Sequence, residues 1–102
     1  MTIKKQYLKT RAACRVTFSL PKKAAAFANT VHLVGDFNDW NESITPMKRL
    51  KNGSFTATLL LRRNKEYQFR YLLDGLQWEN DWKADKYVPN RYGSENSVVV
   101  VS

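Results

Sequence analysis

Apolar and polar residues alternate along three stretches of this chain, as they do in β-strands with one buried and one solvated side. These stretches lie at residues 14–20, 55–61 and 67–73. Pro21 ends the first of them, since proline cannot continue a central strand. We expect the following residues to be mostly buried: Val16, Phe18, Leu33, Phe55, Leu59, Phe69 and Tyr71.

Turn signals separate these stretches and join them into hairpins. Asn52-Gly53 precedes the run at 55–61, and Asp74-Gly75 follows the run at 67–73. Such dipeptides are the strongest short hairpin signals. Residues 31–35 and 97–101 add two further strand patterns, and no segment has the pattern of a long helix. The sequence therefore predicts an all-β protein, an antiparallel β-sandwich of about seven strands.

The first 13 residues differ from the remainder in carrying four basic residues and few apolar ones. We divide the chain into a basic N-terminal arm at residues 1–13, either frayed or docked, and one β-sandwich domain at residues 14–102. A total of 102 residues is enough for one modest core.

The residue inventory argues against catalysis. His32 and Cys14 are the only histidine and cysteine, which excludes a histidine-dependent triad, a zinc cage and an internal disulfide. Four of the nine acidic residues, Asp36, Asp39, Asp74 and Asp81, sit in turn contexts, where their carboxylates bond local backbone amides. We expect no catalytic residue, no cofactor and no metal site. Without a signal-peptide pattern or a membrane-spanning run, we expect a cytoplasmic protein with no membrane partner.

Aromatic residues in polar turns are the most informative feature of the sequence for function. Trp40 ends a strand-to-turn stretch that starts at Val31, and Trp78 follows the Asp74-Gly75 turn among polar neighbours. Sugar rings have apolar faces and hydroxyl edges, so proteins bind them with an aromatic ring against the face and polar groups around it. This pattern indicates carbohydrate binding.

Four motifs in order resemble one known family. They are Val-Gly-Asp-Phe-Asn-Asp-Trp at 34–40, Tyr-Gln-Phe-Arg-Tyr-Leu-Leu-Asp-Gly at 67–75, Trp78, and Tyr-Gly-Ser-Glu-Asn-Ser at 92–97 before the closing valine run. Together they resemble the family 48 carbohydrate-binding modules, which include the N-terminal early-set domains of isoamylases and branching enzymes and the glycogen-binding domain of the AMP-activated kinase β subunit. The resemblance implies an immunoglobulin-like (early set) sandwich that binds α-1,4-linked glucan.

The resemblance also implies a set of site residues. Tryptophans at the positions of Trp40 and Trp78 stack on glucose units in that family, although Leu76 adds one residue before Trp78. Arg70 stands where the kinase-type modules have a sugar-bonding lysine, and Tyr92 stands where they have an inserting leucine. The full candidate set for carbohydrate binding is Trp40, Arg70, Trp78, Tyr92, Ser94 and Asn96.

Each of these residues also has a structural alternative. For Trp40 and Trp78 the alternative to ligand contact is anchoring a loop in the core; we favour ligand contact, with Phe37 as the anchor. Arg70 is equally compatible with a solvated strand charge. For Trp82 we favour packing or an edge contact.

We compare three hypotheses for the function of this protein. The first is non-catalytic binding of glycogen, starch or maltooligosaccharide, alone or with a separate glucan-active enzyme. The second is nucleic-acid binding, since a net charge of +8 favours anionic partners; against it, the basic residues are scattered and carboxylates flank the loop aromatics. The third is a protein-interaction domain that has lost sugar binding.

Overall fold

Two antiparallel β-sheets pack face to face in the computed structural model, which describes residues 3–25 and 27–102. In chain order the strands are β1 (Lys4–Tyr7), β2 (Ala13–Leu20), β3 (Val31–Gly35), β4 (Lys48–Arg49), β5 (Phe55–Arg62), β6 (Lys65–Leu73), β7 (Gln77–Glu79), β8 (Lys86–Pro89) and β9 (Glu95–Val101). A four-residue helix, α1 (Lys22–Ala25), follows β2, and a 3₁₀ turn at Asp36–Asn38 follows β3. No helix in these two ranges has the length and apolar character needed to cross a membrane.

The strands divide into two sheets. Sheet I has the order β1-β2-β5-β4, and sheet II has the order β3-β6-β9-β8, with β7 pairing the end of β6. The longest pairing in sheet I joins β2 and β5 over eight residues, from Ala13 opposite Arg62 to Leu20 opposite Phe55. In sheet II, β6 pairs with β3, β7 and β9. The predicted antiparallel β-sandwich is therefore confirmed.

The core lies between the inner faces of the two sheets. Six of the residues expected there are buried, and Leu59 is half-buried. Phe18 from sheet I meets Phe69 from sheet II edge to face, with ring centroids 5.0 Å apart. This arrangement of aromatic pairs is favourable beyond the area that it buries.

Part of the N-terminal arm is a strand. Lys4–Tyr7 pairs antiparallel with β2, with Lys4 opposite Thr17 and Tyr7 opposite Cys14. The structure thus shows the docked arrangement for these four residues, while Met1 and Thr2 lie outside the described residues. The sequence pattern misses β1 because backbone hydrogen bonds hold this edge strand, whose side chains are largely exposed and polar.

Both predicted hairpin turns are present. Gly53 adopts a φ of 87° in the connection between β4 and β5, where its amide donates to the carbonyl of Leu50. Asp74 and Gly75 adopt φ values of 53° and 69° between β6 and β7. These positive φ values are the conformations that Asn-Gly and Asp-Gly turns accommodate at little steric cost.

A buried polar cluster fastens the loop between β7 and β8 to the core. The Tyr71 hydroxyl donates to a carboxylate oxygen of Asp81 at 2.7 Å, and the Asp81 amide donates to Ser97 Oγ at 2.9 Å. Both Tyr71 and Asp81 are buried. Burial, and then the adjacent Asp81 carboxylate, raise the pKa of the Tyr71 hydroxyl well above its ordinary value.

We expect Tyr71→Phe to lower the free energy of unfolding by about 1–3 kcal/mol at pH 7, because a buried carboxylate loses a donor. The raised pKa stabilises the folded state fully below pH 10.0, the ordinary pKa of tyrosine, and this contribution is lost as the pH rises further. The stability difference between wild type and variant should therefore narrow above pH 10.0.

Urea unfolding of both proteins across this pH range measures the difference. Tyr92→Phe is the matched control, because the Tyr92 side chain is 84% exposed. A difference that stays constant with pH would contradict the assignment to the Tyr71 hydroxyl.

Candidate functional site

A concave surface of about 680 Å³ lies on the outer face of sheet II. We call it the sheet II cavity. Its lining mixes aromatic, amide and charged side chains: Trp40, Glu42, Gln68, Arg70, Trp78, Asn90, Arg91, Tyr92 and Asn96. Gln68 and Arg70 form its floor, because they alternate along β6 with the buried Tyr67, Phe69 and Tyr71.

Trp40 is held in place by Asp36. The indole Nε1–H of Trp40 donates to one oxygen of Asp36 at 2.9 Å, and the backbone amide of Gln68 donates to the other at 2.7 Å. One carboxylate therefore ties the ring to β6. Asp39 and Trp40 both occupy the left-handed region, with φ of 55° and 57°. Non-glycine residues there cost about 1 kcal/mol each, so surrounding contacts must hold them.

The loop that carries Trp40 is packed from below. Phe37 is half-buried and its ring centroid lies 5.5 Å from that of Phe18, so Phe37 anchors the loop in the core. A Cβ at Gly35 would lie 2.5 Å from the carbonyl oxygen of Gln68 and 2.7 Å from the Cβ of Phe69. Gly35 is therefore required by the close approach of β3 and β6.

Trp78 and Arg70 form the opposite side of the cavity. Trp78 pairs with Leu72 across β6 and β7, so it faces outward from sheet II, and its side chain is 36% exposed. The guanidinium carbon of Arg70 lies 5.8 Å from the centroid of the Trp78 ring system. Within the part of the chain that the structure describes, Arg70 Nε is buried and has no hydrogen-bond partner.

The turn before Trp78 is fixed by Asp74. One oxygen of this carboxylate accepts the backbone amides of Asn29 at 2.8 Å and Thr30 at 3.0 Å. The bond from Thr30, and then the bond from Asn29, lower the pKa of Asp74, so the group is ionised at neutral pH. The pairing of Leu73 with Gln77 leaves a three-residue loop that includes Leu76.

An amide chain borders the cavity on the side of β9. Asn96 Nδ2 donates to Gln68 Oε1 at 3.1 Å, and Asn90 Nδ2 donates to Asn96 Oδ1 at 3.1 Å. Asn90 Oδ1 accepts hydrogen bonds from the backbone amides of Tyr92 and Ser94 and so shapes the loop between β8 and β9. The Tyr92 ring projects from this loop and is 84% exposed.

The family described as carbohydrate-binding module 48 (isoamylase N-terminal domain) matches residues 15–88, which is most of the chain. The chain belongs to this family. Its members are non-catalytic carbohydrate-binding modules with an immunoglobulin-like fold, as the sequence resemblance implied. A search of curated proteins found no match.

The matched segment covers only part of the module's cavity. It contains the two rings Trp40 and Trp78 and the strand that carries Arg70, but it stops before Asn90. The loop between β8 and β9 and the Asn96 side chain therefore lie beyond the match. Their place in the cavity comes from the structure.

Five of the six candidate residues meet in the module's cavity: Trp40, Arg70, Trp78, Tyr92 and Asn96. Ser94 does not border it, although its backbone amide bonds Asn90. Trp82 also lies outside the cavity and is 54% exposed. Four further lining residues were not predicted from the sequence: Glu42, Gln68, Asn90 and Arg91. The alternation of β6 places Gln68 beside Arg70 and could have found it, whereas nothing in the pattern marks Asn90.

The described ranges contain no group of three or more His, Cys, Asp and Glu side chains arranged to hold a metal ion. The charged residues around the cavity are Arg70, Arg91 and Glu42. The cavity thus presents aromatic rings, amides, two guanidinium groups and one carboxylate.

We expect Asp36→Ala to release the Trp40 ring. The variant removes the acceptor of the indole Nε1–H, so this proton should exchange with water at least several-fold faster. The free energy of unfolding should fall by about 1 kcal/mol, the usual scale for exposed hydrogen bonds. NMR of the indole proton and urea unfolding give the two values.

Glu42→Ala is the matched control, since it removes one exposed carboxylate beside the same cavity. Equal exchange rates in wild type, Asp36→Ala and Glu42→Ala would show that Asp36 does not hold the ring.

Proposed function

We propose that this module binds α-1,4-linked glucan in the sheet II cavity, with glycogen, starch or maltooligosaccharides as ligands. The observation that carries the proposal is the presence of two outward indole rings and a half-buried arginine on one concave, amide-rimmed surface. The family supports carbohydrate as the ligand class. The glucan linkage is the finer step that we propose.

Stacking is the main attraction in this proposal. Trp40 and Trp78 offer rigid apolar faces that lose little conformational entropy when a sugar ring covers them. An α-1,4-linked glucan chain is curved, so successive sugar units can contact both sides of a concave surface. Tyr92, which projects from the loop between β8 and β9, adds a third ring at the edge.

Arg70 gives the site its orientation. Arg70 lines the cavity, so the guanidinium donors other than the buried Nε can reach sugar hydroxyls. The guanidinium has several donors in a fixed plane, which suits neighbouring hydroxyls on one sugar ring. Trp78 packs beside it and keeps the plane in place.

The amide chain completes the rim. Gln68 and Asn90 each use part of their hydrogen-bonding capacity within the protein and retain further donors or acceptors for sugar hydroxyls. Asn96 is only 9% exposed, so we assign it mainly to holding Gln68. Ser94 has no place in this scheme because it does not border the cavity.

In this proposal the module binds polysaccharide and performs no chemistry on it. A separate glucan-active enzyme would act on the chain that the module holds. The binding energy should be about 4–8 kcal/mol, corresponding to micromolar to millimolar dissociation constants.

We expect Trp40→Ala and Trp78→Ala each to weaken binding of maltoheptaose by about 30-fold, since truncating a stacking anchor costs about 2 kcal/mol. The fold should survive in both variants. Titration followed by tryptophan fluorescence measures the affinity, and thermal unfolding checks the fold.

Trp82→Ala is the matched control and should bind like the wild type, because Trp82 lies outside the cavity. An unchanged affinity in Trp40→Ala and Trp78→Ala, or unfolding of either variant, would mean that these rings serve structure only.

We expect Arg70→Ala to weaken maltoheptaose binding by about 1 kcal/mol, or roughly five-fold, the scale of one or two hydrogen bonds. Arg11→Ala, which removes an exposed arginine of the arm, should leave binding unchanged.

Wild-type affinity should be nearly independent of salt between 50 and 500 mM, because a neutral sugar displaces no counterions. A steep fall with salt would instead indicate binding of phosphates.

A further inference from the structure

Charge is distributed unevenly between the two sheets. The strands of sheet I carry six basic residues and no acidic residue: Lys4, Lys5, Arg15, Lys48, Arg49 and Arg62. The strands of sheet II carry three of each sign: Lys65, Arg70, Lys86, Glu66, Glu79 and Glu95. The strand charges are therefore +6 in sheet I and 3 − 3 = 0 in sheet II. Asp85 pairs with Lys5 at 2.7 Å, which leaves five basic residues on the strands of sheet I to attract an anionic partner away from the sheet II cavity.

Three of the four sheet edges are protected against pairing with another chain. On the outer strand β1, Lys4 and Lys5 protect one edge of sheet I, and on β8, Lys86 and Pro89 protect one edge of sheet II. Charged residues and proline are the usual means of blocking an exposed edge.

The β3 edge of sheet II is protected by a covering segment. The Leu33 amide donates to the Thr45 carbonyl at 2.9 Å, and the Met47 amide donates to the Val31 carbonyl at 2.8 Å. Residues 45–47 thus follow sheet II before the chain crosses to sheet I as β4.

The fourth edge lies open. β4 pairs with β5 only at Lys48 opposite Thr56 and Arg49 opposite Phe55. Beyond this point residues 57–61 of β5, with the sequence Ala-Thr-Leu-Leu-Leu, carry neither charge nor proline. Within the described residues no strand pairs with them on this side. Alternate backbone amides and carbonyls of this stretch therefore face an unoccupied edge.

An apolar groove runs along the open edge. It has a volume of about 450 Å³ and lies between β5 and residues 44–48. Ile44 at its border is 60% exposed, and Leu59 and Ala57 are only half-buried at the margin of the core. An apolar side chain from an added strand would cover Leu59 and Ala57.

We propose that the open edge of β5 is a docking site for an extended acidic segment of a partner protein. Such a segment, with apolar and acidic residues in alternation, adds to sheet I as a new strand beside residues 57–61. Its apolar side chains enter the groove at Leu59, and its carboxylates lie on the outer face of the sheet. Lys48 and Arg62 flank the two ends of the open edge on that face.

Charge and groove chemistry select this occupant over others. A second copy of the chain would bring two basic sheets edge to edge, which like charges oppose. The groove has no aromatic lining on which nucleic-acid bases could stack. The site lies on sheet I and does not depend on sugar binding in the sheet II cavity.

The test uses a capped octapeptide of alternating valine and aspartate with the full-length chain. We expect hydrogen exchange of amides within residues 57–61 to slow at least tenfold at saturating peptide, and the Trp40 indole signal to stay unchanged. A block peptide of four valines followed by four aspartates, and an alternating valine–lysine peptide, should bind at least tenfold more weakly. Every second backbone amide of the bound peptide faces β5. Of two peptides N-methylated at either the odd or the even positions, one should therefore lose binding and the other should keep it.

Charge reversal supplies the variants. Lys48→Glu combined with Arg62→Glu should weaken peptide binding at least tenfold. The matched control, Lys23→Glu combined with Lys83→Glu, makes the same change in net charge at exposed positions elsewhere and should stay within twofold of wild type. Maltoheptaose affinity should be unchanged in both double variants, which separates this proposal from the proposed function.

Four results would overturn the proposal. They are equal binding of the block peptide, slowed exchange outside residues 57–61, a dimer in sedimentation at the NMR concentration, and stronger protection of the same amides by a DNA duplex or by anionic vesicles than by the alternating peptide.

Discussion

β6 hydrogen-bonds to three other strands, and the alternation of its side chains couples the core to the candidate site. Its inward residues include Phe69 and Tyr71, which are fully buried between the sheets. Its outward residues Gln68 and Arg70 form the floor of the sheet II cavity. Because the strand period is two, a slip of one residue would exchange these sets and destroy both core and cavity. The pairing with β3 and β9 fixes the register against such a slip.

The aromatic rings of the cavity do not lie on β6, and side chains in the turns hold them in position. Asp36 holds Trp40 against β6, Asp74 fixes the turn before Trp78, and Asn90 shapes the loop that carries Tyr92. In each case an oxygen acceptor satisfies backbone or indole N–H groups of a loop. The loops are thereby ordered while Trp78 and Tyr92 stay exposed and Trp40 stays half-buried.

The net positive charge of the chain is not concentrated in the sheet II cavity. The strands of sheet I carry +6 of the net charge of +8, while the cavity contains two arginines and one glutamate. The sheet II cavity and a basic sheet with one open edge therefore lie on opposite sides of one small sandwich. Strand pairing brings residues as distant in sequence as Lys4 and Arg62 into one sheet, which the order of residues along the chain does not show.

The sequence by itself determined the strands that bury one face, the hairpin turns and the aromatic residues in polar loops. Alternation and Asn-Gly or Asp-Gly turns act over a few residues, so they can be recognised in the sequence. Tertiary structure alone decided that Lys4–Tyr7 forms a strand, because backbone pairing leaves no side-chain pattern. It also placed Asn90 beside Asn96 in the cavity, excluded Ser94 from it and left β5 open where the chain crosses between sheets. These features depend on contacts between residues far apart in the chain, and local patterns carry no information about such contacts.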